Sequence, residues 1–302
     1  MLPTRTPLTP NGVGVKPPIG TGPRAIIPQY SISSLREDYK NDASQEHMSL
    51  LLLGSVGSGK TTAIGTMPGP ILVFSFDPSG TRSLKEMYPD RIIDPKSATP
   101  LAEQIASGRD IDLITKFEGL TEETATKKVK DWEKTFVALH NSGEIYNYRT
   151  VAIDSYSTLC MLYEWHQGLK DKTKNGNLPT LNDYGHINRF INKVITRGCS
   201  EPYHFIVTGH LGKQFDEATG KTIYQLKAYP SVRDTLPIFF DFCFIQQATE
   251  KSDGIKYTIT THNPAFAAKK RSNKLSNVEP SDLTRIMKKI GGLKTEPKKL
   301  NA

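Results

Sequence analysis

The chain reads as an α/β protein with a mostly parallel central sheet, flanking helices and antiparallel strands added at the C-terminal side. Three observations predict this. Apolar runs that end at a glycine, threonine or aspartate recur at Leu50–Leu53, Ile71–Phe76, Val151–Ile153 and Phe205–Val207. Segments with helical spacing of apolar residues lie between them, as strand–helix–strand crossovers require. The last third carries two hairpin signals instead, Asp216–Gly220 and Lys251-Ser252-Asp253-Gly254.

Taken in order, residues 1–28 are rich in Pro, Gly and Thr and poor in large apolar side chains, which predicts a disordered or loosely packed segment. Ile26-Ile27 either docks on a neighbouring surface or belongs to the linker. Residues 29–46 are polar, with one short helix expected near Ser34–Tyr39. The core begins with a strand over 49–53, a loop and a short helix over 54–66. That helix must stop at Met67-Pro68-Gly69-Pro70. A second strand, Ile71–Phe76, ends at Asp77. Helix and loop are expected over 100–119. Thr121 followed by Glu122 and Glu123 marks a helix start, and Val129, Trp132, Phe136 and Val137 keep helical spacing. Thr150–Asp154 is a buried strand ending in an acid, followed by a helix over 157–169. Tyr184, Ile187, Phe190, Ile191, Val194 and Ile195 share one helical face. His204–His210 is the next strand, and strands over 243–249 and 255–261 follow. The division expected is a loosely packed segment 1–46, a domain 47–271 and a basic tail 272–302.

Composition excludes several classes. Within these 302 residues no run of 18 apolar residues occurs, so no membrane span or membrane partner is expected. The first residues lack the apolar core of a secretory signal. Cys160, Cys199 and Cys243 are few, odd in number and far apart, which argues against a disulfide framework or zinc site and suits a cytoplasmic setting. The net charge of +8 is uneven: residues 269–302 carry +7 and residues 1–31 carry +3, leaving −2 between them. Basic ends either meet nucleic acid or keep the chain soluble.

The most specific motif is Gly54-Ser55-Val56-Gly57-Ser58-Gly59-Lys60-Thr61, followed by Thr62, directly after an apolar strand. It fits the phosphate-loop pattern G-x-x-x-x-G-K-[ST] in the context that pattern needs. The glycines allow a tight turn and close backbone approach to an anion. Successive N–H groups then cradle phosphate, Lys60 reaches the β- and γ-phosphates, and the Thr61 hydroxyl faces Mg²⁺. Asp154, at the end of a later strand, is the candidate second anchor for Mg²⁺, with Ser155 able to bond a metal-bound water. The alternative is an aspartate that caps the following helix. Asp77 either orients or activates the attacking water or is a turn residue before Pro78. His210 either senses the γ-phosphate and passes its state to the next loop or is a hydrogen-bonded strand-end histidine. Lys269-Lys270-Arg271 either offers cations to a γ-phosphate, including that of a neighbouring subunit, or is a solvated basic cluster. Asp77-Pro78-Ser79-Gly80 also fits the D-x-x-G of GTP switches. Only 16 residues separate Lys60 from Asp77, too few for a full helix, a switch loop and a strand, and no guanine-reading N-K-x-D follows. ATP is the expected nucleotide.

Over about residues 48–271 this series resembles the phage-encoded RecA-like P-loop ATPases, the core-only single-strand annealing recombinases or phage nucleotide-binding proteins. The carriers are Gly54–Thr62 with its short helix, Phe76-Asp77, Val151–Ser155, Tyr184-Gly185, Val207–His210, Phe240-Asp241 and Ala268–Arg271. The resemblance implies a RecA-like ATPase that binds single-stranded DNA in recombination or annealing, in the host cytoplasm. It implies a homo-oligomer with ATP and Mg²⁺ at subunit interfaces, with a single-strand-binding protein as a further partner. Lys60 and Thr61 would then hold phosphate and Mg²⁺, Asp154 would support the metal, His210 would sense phosphate, and Lys269 or Arg271 would act across the interface. The chain departs from RecA at Ser79, where RecA carries its general-base glutamate. Residues 170–182 and 211–222, with Lys170, Lys172, Lys174, Lys213 and Lys221, are either DNA-contacting loops or ordinary polar surface. The rival readings are an ATPase acting on a protein partner (a motor, loader or packaging factor) and a weakly hydrolysing nucleotide-binding regulator.

Overall fold

The computed structural model describes residues 47–119, 121–170, 180–217, 220–228, 230–262 and 268–291. The expected helix near Ser34–Tyr39, Ile26-Ile27, Lys172 and Lys174 lie outside the described residues.

Six strands run parallel. They are β1 (Ser49–Gly54), β2 (Ile71–Ser75), β3 (Ile111–Ile114), β4 (Thr150–Asp154), β5 (His204–Asp216) and β7 (Phe242–Lys251). β6 (Lys221–Leu226), β8 (Gly254–Thr260) and β9 (Val278–Pro280) add antiparallel pairs, giving the order β3-β2-β4-β5-β1-β7-β8-β9 with β6 on β5. β1 is therefore central, and β5 separates it from β4. This is the α/β arrangement, mostly parallel with antiparallel strands added on the C-terminal side, that the sequence predicts.

Strand alternation distributes the core. Leu51 and Leu53 of β1 join one buried cluster, and Leu50 and Leu52 the other. Both faces are covered, which explains why β1 is an unbroken apolar run. The first face is packed by α4 (Glu122–Ser142), α5 (Tyr156–Lys170), α6 (Leu181–Ser200) and α7 (Pro230–Phe239), through Trp132, Phe136, Leu159, Ile187, Ile191 and Leu236. The second is packed by α1 (Lys60–Ile64), α2 (Arg82–Met87) and α8 (Leu283–Ile290), through Ala63, Ile64, Leu84, Ile286 and Met287. The small helix α3 (Leu101–Ala106) precedes β3.

The local signals are visible in the geometry. Thr121 caps α4 by accepting the Thr124 N–H, and Thr180 and Asp183 form a reciprocal capping box on α6. α1 ends at Gly65, where an added Cβ would lie 2.2 Å from the Tyr88 ring.

Three expectations change. The span 100–119 contains a strand, β3, as well as a helix. Its four residues bury only Ile111 fully, too short an apolar signal to declare itself. The hairpin expected to turn at Asp216–Gly220 forms, paired from Leu211↔Leu226 to Asp216↔Lys221, so the span 211–222, also a candidate loop, is mostly strand, because β5 continues well past the end of its apolar run. The segment 272–302 is not a tail throughout. β9 and α8 belong to the core, with Leu283, Ile286 and Met287 fully buried at helical spacing. Asp282 caps α8 through the Arg285 N–H at 2.9 Å, and Lys289 pairs with buried Glu279 at 2.6 Å. Counting charge over the whole span hid this three-residue apolar stripe.

At the N-terminal edge of the sheet, His204 Nδ1 accepts the Met48 N–H at 3.0 Å. Burial, aided by the positive charges of His47 and Arg149, pushes its pKa down from 6.5 to about 3. Between those values the unfolded chain binds a proton that the native chain refuses, so stability falls as pH drops through this window. Urea unfolding at pH 7 and pH 5 should show this loss. His204→Asn keeps an acceptor for Met48 without titrating, and its loss should be smaller.

Candidate active site

The residues Ser55–Gly59 link β1 to α1 at the C-terminal edge of the sheet, where open α/β sheets bind ligands. Gly59 has φ +85°, a left-handed conformation that favours glycine. Val56 at the loop tip is 87% exposed, whereas Ser58 is buried. Lys60 folds back and its Nζ donates to Gly54 O at 3.0 Å and Ser55 O at 2.9 Å. Burial pushes its pKa down, against the pull of the Asp154 and Asp77 carboxylates.

Asp154 ends β4 and is 1% exposed. Thr61 Oγ1 donates to its Oδ2 at 2.7 Å, and Thr208 of β5 donates to Oδ1. Burial and the charge of Asp77 raise its pKa, opposed by those two hydroxyls and by Lys60. These oxygens fit Mg²⁺, a hard cation that takes one or two carboxylates, substrate phosphates and waters. Among the described residues no cluster of three or more His, Cys, Asp or Glu forms a dedicated metal cage.

Asp77 lies two residues past β2. Its Oδ1 accepts from Ser155 Oγ at 2.7 Å and from Thr158, and its Oδ2 meets His210 Nε2 at 3.2 Å. Burial alone would raise its pKa, but the hydrogen bonds from His210, Thr158 and Ser155 outweigh it and hold the carboxyl below the usual range. The carboxylate accepts only, so His210 Nε2 is the donor, and Nδ1 is left buried without a partner among the described residues. The His210 N–H donates to Ser157 Oγ at 3.0 Å. In the β1–β5 register His210 stands opposite Gly54, the first loop glycine.

The fold thus gathers Gly54–Thr62, Asp154, Asp77 and His210 at one edge. It does not bring Lys269 and Arg271 there. Lys269 Nζ donates to Phe240 O at 2.6 Å, beyond the end of α7, and Arg271 pairs with Asp241 at 2.8 Å. Asp241 in turn accepts from Ser49 Oγ at 2.8 Å, at the start of β1. The length of β1, about 17 Å at ~3.3 Å per residue, separates this cluster from its own loop. Sequence reading missed Thr208 and Thr158. Thr208 interrupts the apolar run of β5, and Thr158 stands three residues after Ser155 at helical spacing, which were the available signals.

A phosphate loop on the central strand, with a buried acid two strands away, defines a nucleotide-binding P-loop ATPase domain. The chain belongs to the family described as the AAA domain, whose model matches residues 46–272. No curated protein matches it. Among solved structures it is similar to a KaiC-like protein from the hyperthermophilic archaeon Pyrococcus horikoshii OT3, at 14% identity over 77% of this chain and 84% of that one, with a TM-score of 0.42. No helix among the described residues is long and apolar enough to cross a membrane.

Two substitutions probe the site. Lys60→Ala should weaken ATP binding at least about tenfold, the scale of a lost charge-assisted bond, measured by equilibrium titration. Asp77→Asn should leave affinity within a few-fold and lower single-turnover hydrolysis about a hundredfold, the lower end for a lost acid–base group.

Proposed function

We propose that this chain binds and hydrolyses ATP with Mg²⁺ and does so on single-stranded DNA, in the manner of phage annealing recombinases. The observation that carries the ATPase reading is the convergence of Thr61–Asp154 and Asp77–His210 beside one phosphate loop. On this reading Lys60 exchanges the carbonyls of Gly54 and Ser55 for the β- and γ-phosphates. Thr61 and Asp154 hold the ion, which when bound neutralises charge on the phosphate oxygens. Asp77, already fixed by Ser155 and Thr158, orients the attacking water.

The DNA reading rests on other features. The β5–β6 hairpin grows directly out of His210, so a change at the γ-phosphate has a short mechanical path to a projecting element. The Lys227 N–H donates to His210 O at 2.7 Å, tying the return end of the hairpin to the same residue. The net charge of +8 favours a polyanionic partner. The chain then works as a homo-oligomer with ATP between copies, and Lys269 and Arg271, remote from their own loop, act on a neighbour's phosphates. A single-strand-binding protein is a further partner on the same reading.

ATP turnover measured with and without single-stranded DNA tests this. Stimulation is expected, together with DNA binding that weakens as salt rises. Turnover indifferent to DNA, with no salt-sensitive binding at low ionic strength, would remove DNA from the reading and favour a protein partner.

A further inference from the structure

The two acids and His210 occupy one flank of β1, over β5, β4 and β2. They fix where the terminal phosphate lies if the loop holds a nucleotide. The nucleoside must then leave on the other flank, over β7 and β8. The register there is continuous: Gly54 stands opposite Gln246, and Gln246 opposite Ile259. Tyr257 is two residues along β8 from Ile259, so it shares the face of Ile259 and lies beyond the level of Gly54. That is the face on which α1 packs.

Tyr257 touches the loop. A Cβ placed on Gly59 would lie 2.8 Å from its Cδ1 and 2.9 Å from its Cε1. The residue is nevertheless 41% exposed. Among the described residues its hydroxyl has no hydrogen-bond partner and its ring no aromatic neighbour. Tyr88, the other tyrosine beside α1, is engaged. Its ring abuts Gly65, its hydroxyl donates to Thr62 O at 3.3 Å, and Arg91 covers it at 5.5 Å.

The geometry points to Tyr257 as the platform on which the purine ring of the nucleotide stacks. This rests on the nucleotide-binding reading above and adds the base subsite to it. An aromatic ring whose Cδ1–Cε1 edge abuts the phosphate loop, in a residue 41% exposed, offers the kind of surface a flat heterocycle uses. Stacking tolerates any purine, so Tyr257 contributes affinity without choosing between bases.

Equilibrium binding by the full chain separates base from phosphate. Tyr257→Ala should weaken ATP and ADP about tenfold, the scale of a lost base–aromatic stack, and leave inorganic tripolyphosphate unchanged. Tyr257→Phe should bind ATP like the parent. In Tyr257→Trp the tryptophan emission should change with ATP and not with tripolyphosphate. Equal weakening of ATP and tripolyphosphate by Tyr257→Ala would make the ring a mere prop for Gly59 and overturn the inference. A cavity of about 470 Å³ beside the loop is lined by Val56, Leu211, Tyr224, Gln246 and Gln247. ATP loss with Tyr224→Ala and none with Tyr257→Ala would put the base there and also overturn it. If the parent binds neither ATP nor tripolyphosphate, the nucleotide reading itself falls, a different result from either of these.

Discussion

Burying Asp154 is the constraint on which the rest of the site depends. A carboxylate removed from water is costly unless hydrogen bonds replace its hydration, a matter of several kcal/mol. Its two oxygens are met by Thr61 from the loop helix and Thr208 from β5. The three groups come from β4, β5 and α1, the helix that the loop joins to β1, so the acid holds the loop in register with the sheet. β5 lies between the other two strands and supplies the hydroxyl that closes the gap. A second carboxylate, Asp77, raises the cost further. The fold answers by giving Asp77 its own donors, Ser155, Thr158 and His210. The two acids therefore differ in character: one is pushed toward neutrality and the other is held charged.

That division shapes how the site meets a ligand. Lys60 rests on the loop's own carbonyls, which satisfies a buried ammonium and leaves it ready to move to a stronger acceptor. His210 links both ends of the arrangement. Its ring holds Asp77, its backbone sits opposite Gly54, and the β5–β6 hairpin begins at the next residue. The second face of the sheet contributes through packing. α8 rests against the C-terminal end of α1, where the Leu283 N–H donates to Thr66 Oγ1 at 2.9 Å. An element expected to trail from the domain thus braces the helix that follows the phosphate loop.

Much of this was legible in the residues because local physics specified it. The loop needs its glycines and its Lys-Thr pair wherever it occurs. The four strands bearing site residues are buried runs with a marked end, and Thr121 and the Met67–Pro70 stop are read from side-chain and backbone preference alone. What was illegible was short or was masked by averaging. β3 has four residues and one fully buried side chain. α8 hides three apolar residues in a basic stretch, and a charge count cannot see a stripe.

The sequence by itself determined the class: a parallel α/β sheet, a phosphate loop on an early strand, and an ordered set of polar strand ends in Asp77, Asp154 and His210. Each is encoded within a few consecutive residues. Only the tertiary structure decided which of them meet. Strand order carries Asp77, Asp154 and His210 to one edge and leaves Lys269 and Arg271 at the other, although all five had looked like site residues along the chain. It also set Tyr257 against Gly59 across nearly two hundred residues of sequence. The reason is that spatial neighbourhood in a sheet follows from how strands pair, and pairing is fixed by the packing of both faces at once.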